Sequence, residues 1–315
     1  MAGIELAEEY FELYGRKMLE EEFPELLPYI AAGICGSGSD CFGYDDEVSR
    51  DHDMEPGFCL FLPGEEVVDR RKAFLLERAY SKLPKEYKGL KRSLLAPVGG
   101  SRKGVLRTAE FFQEKCGSSD GYLTLTQWLQ VPEYALAEAV NGKIFLDNYG
   151  EVTKIRERLS FYPEAVALKK LAGNLLIMAQ AGQYNYPRCL QHQETAAAQL
   201  AVNEFVRSSL NVLFLLNHTY QPYYKWSFRA LRALPKLSYE AELLEFLLIS
   251  DNEGSAEEKQ KVIEGIAADV IDELIDSGLT SASCGDLEKH AYSVNDHIKD
   301  GDVRNLHILA AYREV

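Results

Sequence analysis

Within 18 residues the chain holds Gly36-Ser37-Gly38-Ser39 and then Asp51-His52-Asp53. Alternate residues of an extended segment point to the same side, so Asp51 and Asp53 can present two carboxylates to one divalent cation while His52 faces away. Hard oxygen ligands suit Mg2+, which binds one or two carboxylates and fills its octahedron with water and substrate phosphates. A Gly/Ser turn ahead of such a pair can offer backbone N–H groups and hydroxyls to the distal phosphates of ATP or another nucleoside triphosphate. The spacing therefore describes a cradle for a metal and a triphosphate.

Other residues could complete it. Pro222-Tyr223-Tyr224-Lys225-Trp226 is an aromatic-rich helix start, where Lys225 can reach a phosphate while Tyr224 or a neighbouring ring stacks on base or sugar. The plain alternative is a lysine lying over core aromatics. Between Lys82 and Arg107 stand Lys82, Lys85, Lys88, Lys91, Arg92, Arg102, Lys103 and Arg107 against the single acid Glu86, which marks either an anion site or a solvated loop. Asp45, Asp46 and Glu47 either add field to the metal or form a polar loop. The chain has no HExxH or HxH pair, no GxxxxGK[ST] and no GxSxG, which argues against catalytic zinc, a P-loop and a nucleophile elbow.

The elements that must position these groups follow from periodicity. Helical spacing over residues 4–31, broken by Pro24, predicts two short helices. From Ile34 to Leu62 the pattern reads as strand, Gly/Ser turn, acidic loop and strand, the apolar run Phe58–Leu62 being bounded by Pro-Gly on both sides. A helix over Glu65–Tyr80, a strand at Val105-Leu106 leading into Ala109–Lys115, a helix over Pro132–Val140 and an edge strand KIFLD at Lys143–Asp147 complete a mixed first half. Beyond it, helices are expected at 151–159, 163–181, 187–217, 222–234, 239–250, 256–277 and 284–299. Val262, Ile263, Ile266, Ala267, Val270, Ile271, Leu274 and Ile275 form one stripe of the sixth. The expected class is α+β: residues 1–150 form a mixed sheet with flanking helices, and residues 151–315 an all-α bundle that binds substrate.

The order of apolar strand, Gly-Ser, gap and Asp-x-Asp resembles the nucleotidyltransferase superfamily, which includes the kanamycin, streptomycin and minimal nucleotidyltransferases. Either Gly36-Ser37 or Gly38-Ser39 fills the motif, 13 or 11 residues before Asp51, and the second leaves the shorter loop. The resemblance implies that the Gly-Ser holds triphosphate, that Asp51 and Asp53 ligate Mg2+, and that an acceptor hydroxyl attacks the α-phosphate in line. The stretch GSGSDCFGYDDEVSRDHDMEPGFCLFL, together with PYYKW, resembles more closely an uncharacterised bacterial and archaeal group. That group joins a nucleotidyltransferase-like N-terminal half to a helical domain of unknown function, and the likeness spans nearly the whole chain.

The resemblance also implies a third carboxylate on a neighbouring strand, and Val105-Leu106-Arg107 carries none. Kanamycin-type enzymes take a Glu of the helical domain as general base, and Glu194, at the head of the apolar helix Thr195–Leu216, is the candidate for that role. The alternative is a surface helix-start residue favoured by the dipole. Arg188 and His192, with three residues between them, fall short of the spacing in helical partners that act as ribonucleases.

Composition bounds the rest. With 315 residues, 46% hydrophobic and 26% charged, the chain can bury a full core, and a net charge of −15 argues against nucleic acid as partner. No apolar run reaches membrane length and the acidic start is unlike a signal peptide, so a cytoplasmic protein off the membrane is expected. Six scattered cysteines without a CxxC pair read as free thiols. The expected activity is Mg2+-dependent transfer of a nucleoside monophosphate, AMP from ATP, to a hydroxyl-bearing acceptor. The alternative is a nucleotide-binding or regulatory module of the same fold without turnover.

Overall fold

A computed structural model describes residues 3–47, 55–92 and 103–312. The fold is α+β, and the chain divides into two compact units: Met1–Thr124 with Tyr134–Ser160, and Leu125–Glu133 with Phe161–Val315.

The first unit is built on a four-stranded mixed sheet. Its strands are β1 (Ala31–Ile34), β2 (Cys59–Leu62), β5 (Gly104–Arg107) and β6 (Lys143–Asp147), in the order β5-β2-β1-β6. β1 is antiparallel to both neighbours, with Ala32 opposite Leu60 and Leu146, and β2 runs parallel to β5 with Leu60 opposite Val105. Every residue of β1 and β2 is buried, which is why Phe58–Leu62 reads as a continuous apolar run and not an alternating one. KIFLD is an edge strand, and its exposed Lys143 pairs with Glu8.

Helix α1 (Gly3–Tyr10), a π-helical turn (Phe11–Gly15) and α2 (Arg16–Glu22) press Tyr10, Phe11 and Leu19 into the core beside Phe58, Leu60 and Leu62. Helix α3 (Ser39–Phe42) follows β1, and α4 (Arg70–Lys82) follows β2. Helix α4 starts at residue 70 and not at 65, because residues 64–68 turn to bury Val68 and Asp69 supplies the cap, its Oδ1 accepting from Lys72 N at 2.9 Å. The basic stretch conceals a hairpin, β3 (Glu86–Tyr87) with β4 (Leu90–Lys91), turned through Lys88 and Gly89 at positive φ. Helices α5 (Thr108–Cys116), α7 (Glu133–Val140) and α8 (Glu151–Arg158) complete the unit, apart from Glu133 itself.

The second unit is helical. It contains α6 (Leu125–Gln130), α9 (Glu164–Met178), α10 (Tyr186–Gln191), α11 (Thr195–Leu216), α12 (Tyr224–Leu231), α13 (Glu240–Ile249), α14 (Ala256–Asp276), α15 (Leu287–Asp296) and α16 (Gly301–Arg304). Helix α9 is buried nearly all round, as a central helix must be, and packs on α11 and α15. It passes without interruption into a π-helical turn (Ala179–Asn185) and α10. Gly182 lies there because a Cβ would stand 2.3 Å from the Phe205 ring.

The single helix expected over 187–217 is two. Gln193, at φ 59°, closes α10 in a Schellman motif: Glu194 N donates to Cys189 O at 2.9 Å and Gln193 N to Leu190 O at 2.9 Å. No helix among the described residues is long and apolar enough to cross a membrane.

Candidate functional site

The Gly/Ser turn sits where β1 leaves the sheet. Gly36 has φ 122°, a conformation that side chains rarely adopt. The Asn141 carboxamide holds both of its polar groups: Gly36 N donates to Asn141 Oδ1 at 2.9 Å, and Asn141 Nδ2 donates to Gly36 O at 2.7 Å. Asn141 can come so close because Gly142 follows it, at φ 66°, where a Cβ would lie 1.9 Å from Ile34 O. Gly38 is the N-cap of α3 in extended conformation.

Two hydroxyls of the turn differ sharply. Ser39 is 1% exposed and its Oγ donates to Asp45 Oδ1 at 3.4 Å, while Asp45 Oδ2 accepts from Gly3 N at 2.6 Å. Ser37 is exposed. Asp45 therefore belongs to the scaffold that ties α1 to the turn, and the accessible hydroxyl is that of Ser37.

Beneath the turn lies a group that sequence reasoning passed over. The side chain of Asp40 is 3% exposed, and its Oδ2 is 2.7 Å from Lys103 Nζ. The same Nζ donates to Glu55 O at 2.7 Å. Asp51, His52 and Asp53 lie outside the described residues, as does Arg102. The chain that leaves the acidic stretch is described, and it is held firmly. Arg92 Nε donates to Pro56 O at 3.2 Å, Phe58 N donates to Tyr80 OH at 3.1 Å, and Tyr80 OH donates to Phe58 O at 2.8 Å. Burial pushes the Tyr80 hydroxyl pKa well up, so it stays a donor.

Part of the basic run is taken up by the fold. Arg92 also reaches Tyr10 OH at 3.0 Å and lies over the Tyr80 ring, Lys88 pairs with Glu9, and Lys91 with Glu86. Arg107 Nη1 donates to Pro63 O at 2.6 Å and Val68 O at 2.8 Å, so β5 offers a brace where a third acid was sought. Arg92, Lys103 and Arg107 are thus ties of the fold, whereas Lys82, Lys85, Lys88 and Lys91 are exposed, as in a solvated stretch.

Three thiols gather around the turn's base. Burial raises the Cys35 thiol to about 11 despite the Arg156 guanidinium beside it, and also raises Cys41 and Cys59. None of the six cysteines is in a disulfide. Among the described residues no three His, Cys, Asp or Glu side chains form a metal-holding group.

The remaining candidates belong to the second unit. Glu194 is the residue on which α10 ends and α11 begins, and its exposed side chain makes no capping bond. Tyr224 is 74% exposed, with its ring centroid 4.3 Å from that of Tyr223. Exposed Lys225 places Nζ 4.7 Å from the ring centroid of buried Trp226. The structure thus brings Gly36–Ser39 together with Asn141, Asp40 and Lys103, and Tyr224 together with Lys225.

Residues 128–227 match a domain of unknown function (DUF4037). Asn141, Glu194, Tyr224 and Lys225 fall within that span, and Gly36–Ser39 outside it. Among solved structures, a nucleotidyltransferase-like protein from Exiguobacterium sibiricum aligns at 12% identity over 85% of this chain and 77% of its own, with a TM-score of 0.37. No curated protein matches the chain.

Proposed function

We propose that the protein is a nucleotidyltransferase that moves a nucleoside monophosphate, AMP from ATP, onto a hydroxyl of an acceptor. The observation that carries this reading is the junction of β1 and α3. A glycine turn is locked open by Asn141, with an exposed Ser37 hydroxyl, and in the sequence it precedes Asp51-x-Asp53. Amides at such a turn point at an anion and give up no freedom on binding it.

Asp51 and Asp53 are the residues to hold Mg2+, which when bound neutralises phosphate charge and polarises the α-phosphorus. The turn amides of Ser37–Ser39 and the Ser37 hydroxyl bind the distal phosphates and keep the leaving group in line, with Gly36 fixing the turn through Asn141. In the transfer the acceptor oxygen forms a bond to the α-phosphorus, the bond to the bridging oxygen breaks, and pyrophosphate leaves with that electron pair. The hydroxyl proton passes to a carboxylate of the helical part, for which Glu194 is the assigned base. Lys225 is assigned to phosphate and Tyr224 to the base or sugar. The first unit carries the nucleotide and the second the acceptor in this reading.

A second reading rests on β5, whose Arg107 is tied to Pro63 and Val68 and which carries no carboxylate. It is a nucleotide-binding module of the same fold without turnover. Calorimetric titration with ATP, GTP, CTP and UTP, with and without Mg2+, tests both readings against the Asp51→Asn/Asp53→Asn variant. Metal-dependent binding that the variant lacks supports the site, and pyrophosphate release across an acceptor panel then separates enzyme from module. Absence of binding by every triphosphate refutes both.

A further inference from the structure

Helix α13 opens on Glu240, a carboxylic side chain at 0% exposure whose two oxygens accept no hydrogen bond from any N–H or O–H of the described residues. Asp269 of the neighbouring α14 is close enough for its charge to bear on this carboxyl. Asp269 Oδ2 in turn accepts from Tyr239 OH at 3.1 Å. Glu240 is fully buried while Asp269 is half-exposed, so it is the Glu240 carboxyl that requires a proton, because a buried ionised carboxylate without a donor costs several kcal/mol.

We propose that Glu240 and Asp269 share one proton, and that this proton is the latch holding α13 against α14. The cations near the latch are engaged elsewhere. Lys236 Nζ lies 2.6 Å from Glu273 Oε1, and Arg232 pairs with Glu245 on the outer side of α13. From α14 the latch is faced by Asp269, and Asp272 adds its charge at Tyr239. From α11, packed on the other flank, the ionisable side chains are Glu204, bonded to Tyr312, and Arg207. None of these groups donates a hydrogen bond to the Glu240 oxygens. Burial, reinforced by Asp269, raises the Glu240 carboxyl from the ordinary 4.5 to about 8.

The sign is fixed by linkage. The folded chain holds a proton that the unfolded chain releases above pH 4.5, so the latch is at full strength below that pH. It weakens steadily as pH rises and is spent beyond about pH 8. At alkaline pH two like charges face each other at the α13–α14 contact and the helix loosens.

Urea unfolding at pH 5.5 and 7.5 measures the effect. The folding constant of the wild type should fall up to about 100-fold more than that of Glu240→Gln between those values, since one proton is worth a factor of about ten per pH unit. Equal falls overturn the proposal. Should Glu240→Gln not fold, Asp269→Asn serves in its place. A measurement on the unaltered protein stands beside it: the side-chain carboxyl resonance of one buried Glu should titrate near pH 8, and none doing so refutes the shared proton. Mg2+ or Ca2+ that stabilises the wild type but not Glu240→Gln at pH 7.5 means that the pair holds a cation, and overturns the proposal as well.

Discussion

Lys103 places its ammonium 2.7 Å from the Asp40 carboxylate, and Asp40 is the residue directly after the Gly/Ser turn. Because the same nitrogen donates to Glu55 O, one lysine fastens α3 to the strand entry that follows the acidic stretch. Its removal strands a carboxylate that is 3% exposed. Lys103→Met should destabilise the protein by about 3–5 kcal/mol, and Lys103→Met/Asp40→Asn should recover part of the loss. Chemical denaturation of the single and double variants measures both; equal stability of Lys103→Met and wild type would refute the buried pair.

Asn141 is the second fastening of the turn. Asn141→Ala should cost about 1–3 kcal/mol by leaving the N–H and C=O of Gly36 without partners. Asn141→Asp, which keeps the acceptor and loses the donor, should fall between that variant and wild type. Gly142→Ala should be worse than either. The αL conformation alone costs about 1–3 kcal/mol there, and the new Cβ would stand 1.9 Å from Ile34 O. Melting temperatures of the three variants rank them, and a Gly142→Ala protein as stable as wild type contradicts the close approach.

In the second unit Lys170 Nζ lies 2.8 Å from Glu133 Oε1, and Tyr162 OH donates to the same oxygen at 3.3 Å. Burial works to raise the Glu133 carboxyl, but the charge and hydrogen bond of Lys170 outweigh it and hold the carboxyl below its ordinary 4.5. A depressed carboxyl contributes stability above the ordinary value, which is lost as pH falls through the folded one. Melting temperature followed from pH 6 down to about 3 should therefore drop more steeply in wild type than in Lys170→Met. Parallel curves would remove the pair from the acid response.

The thiols give a direct readout of burial. Cys284 is exposed, Cys189 half-buried, and Cys35, Cys41, Cys59 and Cys116 buried. A thiol reagent at neutral pH should label Cys284 quickly and Cys189 slowly, and the other four only after denaturant is added. Fast native labelling of Cys35, whose burial raises its pKa to about 11, contradicts the packing at the base of the turn.

Much of the architecture is legible in the sequence because it is carried by local periodicity. The Phe58–Leu62 run, the edge strand at Lys143–Asp147 and the stripe along α14 all stand where their spacing puts them. The hairpin at Lys88-Gly89 escaped because its strands are two residues each, too short for any period to show. Helix α10 ends at an αL glutamine where glycine is the usual signal, so no break was visible at Gln193.

At the candidate site, Gly36–Ser39 was readable as a turn, whereas the choice between its serines depended on burial. Ser39 faces inward to Asp45 because it opens α3, and only the fold reveals that Ser37 is the outward one. Asp40 and Asn141 are silent, and Lys103 stands out only as one of a basic run, for a common reason. Each is an ordinary polar residue in its local context, and its meaning comes from a partner far along the chain.

The clamp between Gly36 and Asn141 spans 105 residues. At a synthesis rate of about 10 residues per second, the turn leaves the ribosome about ten seconds before its clamp exists. During that interval β1 has neither its β6 partner nor the carboxamide that orders Gly36. Any ligand that depends on the ordered turn is therefore invisible to the nascent first unit, and the site matures only when the last strand of its sheet arrives.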